Sequence, residues 1–516
     1  MKLKNILYAT LLVTFSSCGD FLEPKSQSEY VPKEATALQE MLIGEAYPVQ
    51  TSRYSILGYL EIFNDDLQQQ EVDDYEFSEN QQVTANALGY MFSWQSDMFT
   101  AMPQIGYSNF SNVWSGAYKF ILGANAVLDY IDDVTGTVEE KNYIIAQALG
   151  LRAFYYYLLV NYYGAPYNYD KTALGVPLKL DSKMREESEM LMTRNTVEEV
   201  YKQITEDLNE AERLFLTLPA AKQYQPDYLI NLPMIELFKS RVYLYMENWP
   251  EARKYASKVI NDWNFSILDL NGIALPDPTV KEPYREFNNY NSPEVIWTYG
   301  SIQDFTSQYV TYLSHINSSN KTTRRAFNAS ESLLSCFKSG DLRKDLYIVR
   351  ELLAHAKDPN QNVFYDTYLP YGKYRTSNSN PVTSDEYFAL SFRLSEAYLN
   401  LAEAAALDNA EGEAVSTMNT LLEKRYTPAT YTTISGLTGE ALVNMIREER
   451  RKELCFEGQR WFDLRRYGMP SFTHKWNGQT YTLTKNDFSY TMPISQEIIE
   501  KNKKLEQNPL APKRVN

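Results

Sequence analysis

Residues 447 to 468 read REERRKELCFEGQRWFDLRRYG. More than half of these positions carry a charge, both signs are mixed, and Trp461 and Phe462 sit side by side. Three readings compete: a nucleic-acid patch, a catalytic carboxylate cluster and a structural ion network. Nearly balanced signs make a poor phosphate groove, which needs an excess of Lys and Arg. A paired-carboxylate hydrolase could draw on Glu453 and Glu457. Basic neighbours would hold both carboxyls ionised, which is wrong for a general acid. From Glu440 onward, Leu442, Met445, Ile446, Glu449, Arg450, Glu453 and Glu457 fall near one face at helical spacing. Gly458 suits the helix end. Mixed charge on such a face predicts buried Arg–carboxylate pairs of planar, two-pronged geometry. The segment reads as structural.

The remainder of the chain agrees. It has 516 residues, enough for a large core in two or three lobes. A formal net charge of −16 argues against general affinity for nucleic acid. Tyrosine is the outlier, with 41 residues. Its flat apolar face and polar tip suit wet binding surfaces, and equally the packing between helices. The histidines, His315, His355 and His474, lie far apart, which speaks against a His-based metal site or catalytic triad. Cys18, Cys336 and Cys455 make no disulfide framework.

The first 18 residues, MKLKNILYATLLVTFSSC, read as an address. Lys2 and Lys4 precede a short apolar run, Ile6 to Phe15, and Ser16 and Ser17 precede Cys18. This is similar to a lipobox, in which the cysteine is acylated and becomes the new N-terminus. Phe15 departs from the usual leucine three positions before the cysteine. Diacylglycerol and palmitate on Cys18 would make a stable anchor, since each buried CH₂ contributes about 0.8 kcal/mol. No later stretch is expected to span a membrane. Asp20 and Glu23 give an acidic start that resembles a surface-export signal.

Helical periodicity dominates the chain. Residues 111–131 place Trp114, Tyr118, Ile121 and Leu122 on one stripe. Residues 139–163 do the same with Ile144, Ala148, Leu151, Tyr155, Leu158 and Leu159, and Gly164 and Pro166 end that helix. Thr196 with Glu199 predicts a capping box. Helix pairs are expected at 231–262 and 391–425. MENWPEARKYASKVI resembles a tetratricopeptide unit, and irregular spacing makes the repeats degenerate. Two regions break the pattern. Residues 45–110 are rich in Gln, Asn, Asp and aromatics, and residues 264–390 hold Pro, Asn, Gly and Ser clusters. Their aromatic content argues for an ordered lobe.

The 447–468 stretch resembles the C-terminal signature of the SusD/RagB family. Arg447, Glu449, Arg450, Glu453, Leu454, Glu457, Gly458, Arg460, Asp463, Leu464, Arg465 and Arg466 stand in its places. CGDFLEP, the Trp114–Tyr118–Asn125 helix, ALGLRAFYYYLLVNYYGAPY, SPEVIW, FRLSEAYLNLAEAAA, TMPIS and QNP follow in family order. The resemblance implies a mainly α fold: four degenerate tetratricopeptide-type helix pairs with an irregular, loop-rich lobe packed on them. It implies a surface lipoprotein, with no enzymatic activity, that delivers a nutrient to a SusC-like TonB-dependent transporter. Ligands in the family are usually oligosaccharides, and one branch takes peptides. The expected layout is a signal peptide at 1–17, a tether at 18–35, and a scaffold at 36–263 with a lobe insertion near 45–110. An irregular lobe at 264–390 follows, then the last repeats and signature at 391–516.

Aromatic faces stack on sugar rings, and amides and carboxylates bond hydroxyls. Trp114, Trp249, Trp297 and Trp461 fall in motifs or repeats and read as fold, while Trp263 closes a repeat helix and Trp476 lies in a late loop. Trp94, in ALGYMFSWQSDMF, is the first ligand candidate. Tyr75 and Phe77 follow, with Asp65 and Asp66 nearby, and Tyr284, Tyr290 and Tyr309 represent the second irregular region. Neither a metal nor a catalytic residue is expected. A surface glycan-degrading enzyme is the remote alternative, and it would need an isolated carboxylate pair in a cleft.

Overall fold

The computed structural model describes residues 32–49, 56–57, 59–70, 79–107, 112–183, 191–276, 287, 290–300, 312–314, 323–354, 364–369, 373, 388 and 390–514. The leader with Cys18, and Tyr75, Phe77, Tyr284 and Tyr309, lie outside these residues.

Helices carry the architecture. The long ones are α1 (Ala35–Ala46), α3 (Glu79–Phe92), α5 (Val113–Tyr130), α6 (Val138–Tyr163), α7 (Val197–Phe215), α8 (Leu232–Tyr245) and α9 (Trp249–Asn261). After a long interruption come α10 (Leu394–Leu407), α11 (Glu411–Leu422) and α12 (Gly439–Glu453). Among the shorter helices are α2 (Leu60–Phe63), α4 (Met98–Gln104) and α13 (Arg460–Arg466). Starts and stops follow local chemistry. Thr196 with Glu199, and Thr137 with Glu140, close full capping boxes at the starts of α7 and α6. Gly164 ends α6 as its sequence position predicts.

Neighbours in sequence pack as neighbours in space: α5 on α6, α6 on α7, α8 on α9, and α10 on α11. Small residues set the closest approach. A Cβ on Gly123 of α5 would come within 2.4 Å of the Glu45 carbonyl oxygen in α1. Of the stripe read on α5, Trp114 and Ile121 are buried, whereas Leu122 is 41% exposed and looks outward.

α6 is the central helix. From Ala146 to Tyr163 every side chain is buried. At 26 residues it is long and apolar enough by composition to cross a membrane, which the sequence reading missed, but it is the core helix of this fold. Its tyrosines show where much of that residue goes. The rings fill the core and the hydroxyls bond carbonyl oxygens: Tyr155 to Ala46, Tyr156 to Lys179 at 2.6 Å, and Tyr162 to Leu57.

The second irregular region is an insertion. α9 and α10 pack against each other although some 130 residues separate them in sequence. The insertion's two ends meet in an antiparallel ribbon of β2 (Val295–Tyr299) and β8 (Leu390–Arg393), which forms its neck. Trp297, Tyr299 and Phe392 of the neck meet Phe154 of α6 edge-on, with centroids 5.1–6.1 Å apart. Each such ring pair contributes about 0.5–1.5 kcal/mol beyond area burial.

The remaining described strands are short two-stranded ribbons: β1 (Leu67–Gln69) with β5 (Phe327–Ala329), β3 (Tyr312–Ser314) with β4 (Thr323–Arg325), β6 (Val349–Ala354) with β7 (Phe364–Leu369), and β9 (Phe472–Trp476) with β10 (Gln479–Leu483). Trp476 is thus a buried strand residue and not part of a loop. The β1–β5 pairing joins the two irregular regions into one lobe.

Candidate functional site

The signature segment builds the joint between lobe and scaffold. α12 ends at Glu453, earlier than its charge spacing suggests, and the chain turns through Phe456 (φ +61) and Gly458 (φ +73). Glu457 therefore leaves the helix but still points inward. Glu453 lies at the centre. Arg425 donates to both its oxygens at 2.9 and 3.0 Å, Arg393 and Tyr347 donate at 3.1 Å each, and Arg343 at 3.4 Å. Glu457 accepts from Lys373 and Arg393, both at 2.6 Å. Glu294 takes Arg425 and Arg393, Asp341 takes Arg343 in two-pronged fashion, and Glu449 takes Arg343 and Lys452.

Five cations thus meet five carboxylates in a buried, neutral cluster. Burial opposes the Glu453 charge, yet Arg425, Arg393 and Arg343 hold its carboxyl well below the usual carboxylate range. A general acid needs the reverse. The contributors come from the neck (Glu294, Arg393), the lobe (Asp341, Arg343, Lys373), the turn after α11 (Arg425) and α12, so the cluster seats the lobe on the helices. Removing one partner of such a network leaves an unpaired charge, at a cost of about 3–5 kcal/mol.

Two further clusters use the same segment. Arg450 and Arg466 bind Asp463, and Arg466 with Arg447 binds Glu403. Arg460 grips Asp65 at 2.7 and 2.9 Å, and Arg451 donates to Asp66 at 2.7 Å. The latter pairs correct the reading of Asp65 and Asp66 as ligand contacts: both carboxylates bolt the turn after α2 to the signature.

Trp94 needs the same correction. It is wholly buried, its indole N–H donates to the Phe63 carbonyl at 2.9 Å, and its ring stacks on His474. With φ at +51 it turns back into the lobe and offers no face to a sugar. Tyr290 packs at the neck, where its hydroxyl meets the Asp227 carbonyl and Thr298 Oγ1. The polar, aromatic composition that singled out these residues reflects a core of rings capped by backbone bonds. Trp263 lies beyond the end of α9 and donates to Glu236 at 2.7 Å.

Two surfaces among the described residues have chemistry suited to a neutral, polyhydroxylated ligand. On the β1–β5 edge, Gln68 lies opposite Asn328, and Gln69 exchanges hydrogen bonds with Asn477. Asn328 Oδ1 is buried and has no hydrogen-bond partner. Each amide carries a donor and an acceptor on one carbon, as adjacent sugar hydroxyls require, and a ligand here would exchange bonds with Asn477 and with the Glu331 N–H that Gln68 accepts at 2.9 Å. The second surface is a shallow depression lined by Ser96, Met98, Phe488, Thr491, Pro493 and Leu510. Phe488 is 57% exposed, and Ser96 and Thr491 line the same depression. The sequence reading missed both surfaces. For Phe488 the local string NDFSYT carries no signal that separates an exposed ring from the buried Tyr490 two residues on.

Among the described residues no group of three His, Cys, Asp or Glu side chains is placed to hold a metal ion. Cys336 and Cys455 are unpaired thiols, and burial pushes Cys455 up to about 12.

A repeat scaffold carries one loop-rich insertion, held on it by a neutral ion cluster, and this architecture has relatives among known proteins. A family model described as starch-binding associating with outer membrane matches residues 20–244, and one described as the SusD family matches residues 347–510. SusD-like protein P25 of Formosa agariphila is 21% identical over 525 residues, covering 91% of this chain and 90% of the relative. SusD-like protein P2 of the same organism is 27% identical over 391 residues, covering 69% and 71%. A SusD superfamily protein from Bacteroides thetaiotaomicron superposes with a TM-score of 0.67 at 20% identity, covering 92% of this chain and 100% of its own. A SusD-like carbohydrate binding protein from Bacteroides vulgatus does so with 0.65 at 22% identity, covering 92% and 97%. The chain belongs to the SusD/RagB family.

Proposed function

We propose that this protein is a cell-surface lipoprotein, anchored in the outer membrane through Cys18, that binds an oligosaccharide and delivers it to a SusC-like TonB-dependent transporter. Membership of a family described as starch-binding and outer-membrane associated carries the reading. The Bacteroides vulgatus neighbour is itself described as carbohydrate binding. The protein acts as a binder and not as an enzyme, since the signature's carboxylates are neutralised by guanidinium groups and unsuited to proton transfer. The amide edge supplies hydroxyl partners, and the Phe488 ring supplies a stacking face.

The test is a glycan array run beside a peptide library on the purified chain from residue 19 onward, followed by calorimetry. A defined glycan class should bind with micromolar affinity, because a carrier must release its cargo. Phe488→Ala or Gln69→Ala should weaken that binding about tenfold, the equivalent of roughly 1.4 kcal/mol. Peptide capture without glycan capture would replace the sugar reading, and glycan cleavage would replace the carrier reading.

A further inference from the structure

Asn64 closes the turn between α2 and β1, and its orientation is fixed. Its Oδ1 accepts the Asp66 backbone N–H at 2.8 Å, so Nδ2 is the atom that donates to Glu61 Oε2, also at 2.8 Å. The other Glu61 oxygen accepts the Gly458 N–H of the signature turn at 2.6 Å. Both carboxyl oxygens therefore accept from donors, which favours the carboxylate over the acid. Glu61 is 3% exposed, and among the described residues no Lys or Arg forms an ion pair with it.

The same asparagine leads to His474. Its backbone carbonyl oxygen lies 2.9 Å from His474 Nε2, and the Phe92 carbonyl oxygen lies 2.8 Å from Nδ1. Carbonyl oxygens only accept. A neutral imidazole has one N–H and would turn a lone pair onto one of them, whereas an imidazolium satisfies both. The ring is buried between Phe92, with centroids 3.8 Å apart at 9°, and Trp94, at 4.2 Å and 22°. Aromatic faces attract a cation.

We infer that Glu61 and His474 carry opposite charges on either side of Asn64, which touches both, with the His474 ring doubly protonated, and that this ring proton fastens the lobe to the signature turn. Burial is the largest influence on each partner, pushing Glu61 up to about 7 and His474 down to about 4. Burial thus favours the neutral form of each group, and the hydrogen bonds oppose it, since donors face both Glu61 oxygens and carbonyl acceptors face both His474 nitrogens.

The surrounding charges are few. Asp66 pushes Glu61 up and Lys373 pulls it down, and Tyr162 and Cys455 also lie near it. Asp65 favours the ring's charge, while Arg514, 5.7 Å from the Trp94 centroid, opposes it. Arg460 and Arg451 already engage the two aspartates. Rising pH removes that ring proton. One His474 nitrogen then faces a carbonyl with a lone pair, and the seam between α3, the Asn64 turn and β9 loosens.

The experiment is nitrogen-15 NMR on the chain with labelled histidine. The sequence has three histidines, so His474→Gln assigns the signal. At about pH 6 both His474 ring nitrogens should be protonated, with two slowly exchanging N–H protons, and one should be lost by about pH 8. In Glu61→Gln the ring should be singly protonated at both values. A wild-type ring with one protonated nitrogen throughout would overturn the proposal, as would a ring doubly protonated in folded Glu61→Gln. The wild-type titration decides the matter even if that variant does not fold.

Discussion

Glu453 shows how one side chain takes its meaning from its surroundings. In sequence it is one acid among many, and in the fold three guanidinium groups and a tyrosine converge on it. Glu453→Ala should lower unfolding free energy in urea by about 3–5 kcal/mol. A variant that keeps its stability but loses ligand would move the segment into the binding site. Asp463 gives the acid side of the same chemistry. Burial opposes its charge, but Arg450 and Arg466 hold its carboxyl down at about 2. A depressed carboxyl stabilises the fold above its unfolded value, and that contribution fades as pH falls from about 3.8 toward about 2. Asp463→Asn should therefore flatten the stability-against-pH curve in this window by about 2 kcal/mol, read from urea midpoints. Trp94 completes this scale. Trp94→Ala should cost about 3–5 kcal/mol in stability, while the folded fraction binds sugar as before, measured by melting and calorimetry.

At the level of elements, local signals proved reliable and surroundings did not. The capping boxes and the Gly164 stop depend on residues within one turn, so their spacing alone reveals them. The end of α12 depends on Glu457 reaching Lys373 and Arg393, partners 84 and 64 residues away, and charge spacing misplaces it. The β9–β10 hairpin had a local signal that went unread: Asn477 and Gly478 both take positive φ, at +50 and +79, as a two-residue turn of this type requires. That hairpin brings Trp476 against α3. A Cβ on Gly89 would lie 2.5 Å from Trp476 Nε1. Gly89→Ala should displace the indole, shift its fluorescence and lower stability by about 1–3 kcal/mol.

For the whole molecule, the lobe is an insertion between two helices that pack together. Cys18→Ala should release the protein from the membrane fraction and abolish labelling by palmitate, which a residual membrane-bound pool lacking transporter would contradict. Binding of a neutral sugar should change little with salt, because no charge pair is screened, whereas strong salt dependence in calorimetry would point to an acidic glycan or a peptide. Helical class, repeat order, the SusD/RagB signature and the structural role of its charges were legible in the sequence by itself. They rest on periodicity and on residues close along the chain, where 3.6-residue geometry and capping chemistry act directly. The tertiary structure alone decided which polar and aromatic side chains are spent inside. Trp94, Asp65 and Asp66 are consumed by partners from 31 to 395 residues away, while Phe488 is left facing solvent. Composition cannot separate these fates, because a buried ring with a satisfied polar tip and an exposed ring awaiting a ligand use the same residue types.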